Sequence, residues 1–324
     1  IASARRPDRS SPSTAASTKR SCANPVRLAP SFALFVASFA ALGAEVKPFK
    51  WSGALNVPDP TSVTVDEAGN VYVASTTRRK AADLDIREHS VWVPDDVGLT
   101  SPVEKLALYQ RDLAPGKLKS PRGGLKDHNK DGSIDWKDLT FHKEAIYKLS
   151  DTDHDGVADK MTLFAEGFNS PVSGIAAGVL YFDGWIYVTA IPDVWRLKDT
   201  DGDGVADVKE LVATGFGCHI AYAGHDKHGL RLGPDGRIYW TVGDKGSNVT
   251  SKEGRKFYFP HCGAVLRCEP DGANFEVYAH GIRNTQEIAF DDFGNVIGVD
   301  NDGDQPKERE RLTYLLEGSD SGCR

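Results

Sequence analysis

Four stretches of this chain repeat one pattern, a glycine turn followed by an alternating apolar run. They are "DEAGNVYVAS" (66–75), "FDGWIYVTA" (182–190), "GPDGRIYWTVGD" (233–244) and "DDFGNVIGVD" (291–300). The turn glycines, Gly69, Gly184, Gly236 and Gly294, are separated by 115, 52 and 58 residues. Asp-Gly and Asn-Gly turns supply the positive φ that a tight hairpin needs. A unit of this length holds several short strands, and its recurrence marks a β-propeller, with the 115-residue interval counted as about two units. Periodic helix patterns are nearly absent, and 32 glycines and 17 prolines suit a turn-rich, all-β chain. By this spacing the chain holds roughly five blades. It stops at "GSDSGCR" without an evident closing strand, so a propeller incomplete at its C-terminus is expected.

Residues 1–44 have a different character. Arg5, Arg6, Arg9, Lys19, Arg20 and Arg27 stand against Asp8 alone, and they precede the apolar run "LAPSFALFVASFAALGA". A basic segment, a short apolar run and small residues after it describe a secretory signal; an uncleaved membrane anchor is the alternative. The expected organisation is a leader over 1–44 and a propeller over 45–324, exported to the periplasm or the cell exterior. The formal net charge is −7 despite the basic head, so the body is acidic and nucleic acid is excluded as a partner. Five cysteines form no disulfide framework or CxxCH motif. They are expected as buried thiols, with a bridge from Cys218 to another as the alternative.

Three acidic stretches carry oxygen ligands at alternate positions, the spacing at which a curled loop converges on one cation. "DHNKDGSIDWKD" offers Asp127, Asn129, Asp131, Ser133, Asp135 and Asp138. "DTDHDGVAD" offers Asp151, Asp153, Asp155 and Asp159, and "DTDGDGVAD" offers Asp199, Asp201, Asp203 and Asp207, with Glu210 beyond. Solvated turns are the alternative to Ca²⁺ loops. A loop that saturates its ion stiffens the chain and leaves no open position for catalysis.

The stretch "AGHDKHGLRLGPDGRIYWTVGDKGSN" (223–248) sets His225 and His228 before a strand and Asp244 after the next one. A hairpin brings such positions together, and a histidine held by a carboxylate is a general base of fixed tautomer. Lys245 and Arg231 are expected at a solvated rim, with contact to an anionic cofactor as the alternative. The segment "HGIRNTQEIAFDDFGNV" (280–296) adds Arg283, Asn284 and Gln286 ahead of another hairpin.

These two segments resemble the soluble quinoprotein glucose dehydrogenase and sorbosone dehydrogenase family. With the "DTDGDGVAD" loops they also resemble large exported proteins of planctomycetes termed membrane-bound dehydrogenases. The resemblance covers residues 50–322 and implies a six-bladed propeller carrying pyrroloquinoline quinone (PQQ) and Ca²⁺. It makes His225 the base, in preference to His228, and Asp244 its orienting partner. It places Arg283, Asn284, Gln286 and Asn248 at the cofactor. Thr285 replaces the proline usual in the family, and Cys323 a tryptophan. A candidate loop for the Ca²⁺ at the quinone is "DNDGDQP" (300–306), and haem c is expected only if a further C-terminal domain exists.

The resulting expectation is an oxidoreductase acting on a sugar or polyol hydroxyl, with a cytochrome domain among the candidate electron acceptors. The alternative is a non-catalytic, Ca²⁺-stabilised propeller serving as a carbohydrate-binding or interaction scaffold.

Overall fold

The computed structural model describes residues 48–323 apart from Lys80, 302–306 and Glu308. The leader and most of "DNDGDQP" lie outside the described residues. The first sheet contains β1 (Pro60–Val65), β2 (Val71–Ser75), β3 (Glu144–Ser150) and β4 (Lys160–Gly167). The second contains β5 (Ala176–Phe182), β6 (Trp185–Ala190), β7 (Asp193–Lys198) and β8 (Val208–Thr214). In the third, β9 (Lys227–Leu232) and β10 (Ile238–Val242) are followed by a separate hairpin, β11 (Ser247–Thr250) and β12 (Lys256–Phe259). The sheet is then completed by β13 (Gly263–Cys268) and β14 (Glu276–Ile282). The fourth has three strands, β15 (Ile288–Phe290), β16 (Val296–Asp300) and β17 (Arg311–Leu315). Every pairing within these sheets is antiparallel. Consecutive antiparallel sheets of this kind are propeller blades.

Each repeated turn joins the first two strands of one blade. In the first and fourth blades the same device closes it. Asp66 Oδ1 accepts the Ala68 and Asn70 N–H groups, and Asp291 Oδ1 accepts those of Phe293 and Asn295. Gly69 and Gly294 take φ of +83° and +81°, where a side chain would be strained.

The described residues form four blade sheets and one separate two-stranded hairpin, where about five blades were expected. The 115-residue interval is one blade, because residues 76–143 are inserted between β2 and β3. This insertion has its own apolar centre, including Leu84, Trp92, Leu108, Leu113, Leu125 and Leu139. It carries a helix, Pro102–Asp112, whose N-terminus is capped by Ser101 Oγ accepting the Glu104 N–H. No helix among the described residues is long and apolar enough to cross a membrane.

Blades pack through their faces. Trp240 is fully buried with Phe216 and Phe275 at ring-centroid distances of 6.1 and 5.9 Å. Ser62 Oγ and Thr64 Oγ1 of β1 accept the Val179 and Tyr181 N–H groups of β5, at 3.2 and 3.0 Å. Cys218, Cys262 and Cys268 are buried free thiols, and no Cys218 bridge forms.

Candidate active site

β1, β5, β9 and β15 are the first strands of the four blades and start at one mouth of the propeller. The register of β9 and β10 explains why His225 and Asp244 meet there. Lys227 pairs with Val242, and the Gly243 N–H donates to the Asp226 carbonyl. The ladder therefore ends with residues 225 and 244 side by side. His225 Nδ1 and Asp244 Oδ1 are 2.9 Å apart, with the histidine side chain 10% exposed. A proton on Nδ1 is donated to the carboxylate, which leaves Nε2 as the basic nitrogen.

The third segment is tied in through Asp244, whose N–H donates to the Arg283 carbonyl at 2.7 Å. Gly243 permits the close approach. A Cβ there would lie 2.8 Å from the His225 carbonyl oxygen and 3.1 Å from Asn284 Oδ1. Asp300, fully buried, organises the "RNT" turn. It accepts the N–H groups of Arg283 and Asn284, the Thr285 hydroxyl at 3.2 Å and Arg311 Nη2 at 2.6 Å. Thr285 thus makes a bond that proline could not. Asp300 thereby holds the chain that carries Arg283; the remainder of the expected 300–306 loop beyond Asn301 lies outside the described residues.

Tyr222 forms the adjoining wall. Its ring lies edge-on to His225 at 5.2 Å, with the Arg283 and Arg87 guanidinium carbons 5.6 and 4.7 Å from its centroid. Asn284 Oδ1 is buried without a hydrogen-bond partner. A cavity of about 270 Å³ opens at this mouth, lined among others by Thr61, Ala177, Gly224, His228 and Gln286. Larger clefts of about 440 Å³ beside Trp185 and about 510 Å³ beside Trp92 lie elsewhere, and none of the three is lined by His225, Asp244, Arg283 or Asn284.

His228 Nε2 is bonded to the Gly224 carbonyl at 2.9 Å, and burial brings its pKa down to about 4. Unfolding returns it to the ordinary value near 6.5, so its penalty is absent above that pH. It grows as pH falls from about 6.5 to about 4 and reaches about 3 kcal/mol. In urea denaturation over that window, His228→Gln is expected to lose correspondingly less stability than the parent.

The other assignments divide. Gln286 is exposed and faces the cavity. Asn248 belongs elsewhere: its side-chain amide donates to the Thr100 carbonyl at 2.8 Å and anchors the insertion. Arg231 is at a half-exposed rim, paired with Glu287. Lys245 is 3% exposed, in place of the rim position expected, and lies 2.6 Å from Asp83 and 3.0 Å from Asp226. Burial opposes its charge, but Asp226 and Asp83 outweigh burial and raise its pKa.

The acidic loops divide as well. The carboxylates of Asp151, Asp153 and Asp155 converge within 4.8 Å, as do those of Asp199, Asp201 and Asp207. Asp159 instead accepts the Thr152 N–H and hydroxyl, and Asp203 the Val205 N–H. Glu210 is held by Arg196 Nε at 2.7 Å, across β7 and β8, and is not turned to the loop. The 127–138 stretch gives no converging triad among the described residues. Asp138 accepts the amides of His128, Asn129 and Asp135, while Asp135 caps the short helix Trp136–Thr140. Asp127 accepts those of Asp131 and Gly132, Asn129 donates to Asp131, and Ser133 Oγ has no partner.

The two converging loops join β3 to β4 and β7 to β8, at the end of the blades away from His225. Each staples its blade to the preceding chain by the same position. Ala158 N–H donates to the Trp51 carbonyl, and Ala206 N–H to that of Phe164, both at 2.8 Å.

Fold and site together define a β-propeller domain with a histidine–aspartate pair and an arginine–asparagine turn at one mouth. The chain belongs to the family described as domain of unknown function DUF7133, whose model matches residues 54–318. No curated protein matches it. Among solved structures it is similar to the PQQ-bound aldose sugar dehydrogenase of Streptomyces coelicolor. The identity is 16% and the TM-score 0.49, over 85% of this chain and 65% of that one. It is also similar to the holo PQQ domain of pyranose dehydrogenase from Coprinopsis cinerea, at 12% identity and TM-score 0.42, over 81% of this chain and 52% of that one. The chain thus spans less than two thirds of either.

Proposed function

We propose that this protein is an exported oxidoreductase that oxidises a sugar or polyol hydroxyl, with PQQ as cofactor accepting hydride from the carbon that bears it. The observation that carries the reading is the His225–Asp244 pair, held 2.9 Å apart beside Arg283 and Asn284 at an open mouth. The residues fit the cofactor's chemistry. Arg283 is a cation for a polycarboxylate, and the unpartnered Asn284 Oδ1 is an acceptor for a ligand N–H. When bound, the quinone supplies the two-electron acceptor. His225 Nε2 takes the proton of the substrate hydroxyl, and Asp244 fixes its tautomer and stabilises the imidazolium that results. Tyr222 and the buried wall of Asn284 limit the water that reaches this nitrogen.

Binding is testable apart from turnover. Absorbance titration of PQQ into the purified protein with Ca²⁺ is expected to saturate. Arg283→Ala should weaken binding by about ten- to a hundredfold, the worth of a charge-assisted contact. Equal affinity in the variant would remove Arg283 from the cofactor site.

The Asp151–Asp155 and Asp199–Asp207 loops are proposed Ca²⁺ sites that stiffen the blades at the opposite end. At a hundredfold excess over Kd, one such ion stabilises the fold by about 2.7 kcal/mol. Calorimetry with Ca²⁺ and with chelator should differ accordingly, and Asp201→Asn should reduce the difference. Identical transitions in both buffers would contradict the assignment.

A further inference from the structure

Within the insertion, Asp83, which is 4% exposed, bonds to the residues that flank the His225–Asp244 pair. Its Oδ2 accepts the N–H of Gly224, the residue before His225, at 3.0 Å. Its Oδ1 accepts Nζ of Lys245, the residue after Asp244, at 2.6 Å. Lys245 in turn reaches Asp226 Oδ1, on the other side of His225, at 3.0 Å. One carboxylate therefore grips both chain segments that present the pair. The backbone accommodates this closely, since a Cβ on Gly174 would fall 2.1 Å from Asp226 Oδ1.

Other insertion contacts fall further from the pair along the chain. Asp85 accepts the Ala223 N–H at 3.3 Å, Asp96 accepts the Ile220 N–H at 2.7 Å, and Lys105 Nζ donates to the His219 carbonyl at 3.3 Å. They dock the insertion without touching either flank of the pair.

We propose that Asp83 is a positioning residue for the site, setting the approach of His225 to Asp244 and hence the single tautomer that leaves Nε2 unprotonated. This rests on the reading of His225 as the base. It makes the 76–143 insertion a working part of the mouth through Asp83, which lies 162 residues from Lys245 in sequence. The likeness to solved propellers does not assign it that role.

The test is ¹⁵N NMR of the histidine ring nitrogens at about pH 8, where an ordinary imidazole is neutral. It is run without PQQ or sugar, so the outcome is independent of any dehydrogenase activity. The His225 signals are assigned by their loss in His225→Gln. In the parent they should report one tautomer, protonated at Nδ1. In Asp83→Ala they should shift toward the mixed tautomers of a free imidazole. In Asp96→Ala, which loosens the same insertion elsewhere, they should stay as in the parent. If Asp83→Ala does not fold, the isosteric Asp83→Asn carries the test, with a smaller shift in the same direction. Unchanged His225 signals in the folded Asp83 variant would overturn the proposal. So would an equal shift in Asp96→Ala, which would make the effect one of general docking.

Discussion

Replacing Arg78 with Met is expected to destabilise the protein by about 3–5 kcal/mol, the range for breaking a buried charge network by removing one partner. Arg78 is fully buried where the insertion leaves β2. Its Nη1 donates to the Leu139 and His142 carbonyls at 2.7 and 2.8 Å, and its Nη2 to those of Ser170 and Ser173 at 3.2 and 3.0 Å. The first two carbonyls lie in the insertion and the other two in the link from the first blade to the second. One guanidinium thus holds three parts of the fold in register. Methionine fills much of the volume but leaves four acceptors without this donor.

Glu144, buried beside it, accepts the amides of Thr77, Arg78 and Ala176 and the Thr76 hydroxyl, so it would remain hydrogen-bonded but lose its nearest cation. Urea denaturation followed by tryptophan fluorescence measures the loss. A change below about 1 kcal/mol, the level of an ordinary surface substitution, would show that the four bonds are made equally well by water.

The second large effect concerns chemistry. Replacing His225 with Gln keeps a polar side chain of similar reach but removes the basic nitrogen. Under the proposed function, the sugar-dependent kcat should fall by about 10²–10⁴-fold, the usual contribution of a positioned general base. PQQ affinity should change little, because Arg283 and Asn284 are untouched. Loss of affinity with an unaltered rate per bound cofactor would instead place His225 in the cofactor site. Asp244→Asn should also lower kcat, by disturbing the tautomer while Nε2 remains in place.

Much of the fold was legible in the sequence because each blade advertises itself by a local device. The Asp66 and Asp291 turns capture their own amides within four residues, and their glycines occupy the positive φ that such turns demand. The His225–Asp244 pair was legible for a related reason. Hairpin register is a short-range property, so two residues just beyond the Lys227–Val242 rung must be neighbours.

The insertion was not legible by such means. Its contacts run between residues far apart, such as Asp83 with Lys245 and Thr100 with Asn248, and no periodicity records them. Asn248 was assigned to the cofactor because nothing nearby in sequence reveals the Thr100 carbonyl that occupies it. Lys245 was assigned to the rim because a lysine following a strand is usually solvated; two distant acids bury it instead. Glu210 failed as a metal ligand for a register reason. It lies in β8 opposite Arg196 in β7, and the cross-strand ion pair takes it.

The central claim is that the mouth bearing His225, Asp244, Arg283 and Asn284 oxidises a sugar or polyol through PQQ. The most direct test is to load the purified protein with PQQ and Ca²⁺, mix it with a panel of aldoses and polyols, and follow the quinone absorbance. Reduction that depends on the sugar, is saturable, and is lost in His225→Gln is the predicted result. A folded, Ca²⁺-loaded propeller that binds PQQ without reduction by any member of the panel, or binds none, would contradict the claim and favour the scaffold reading.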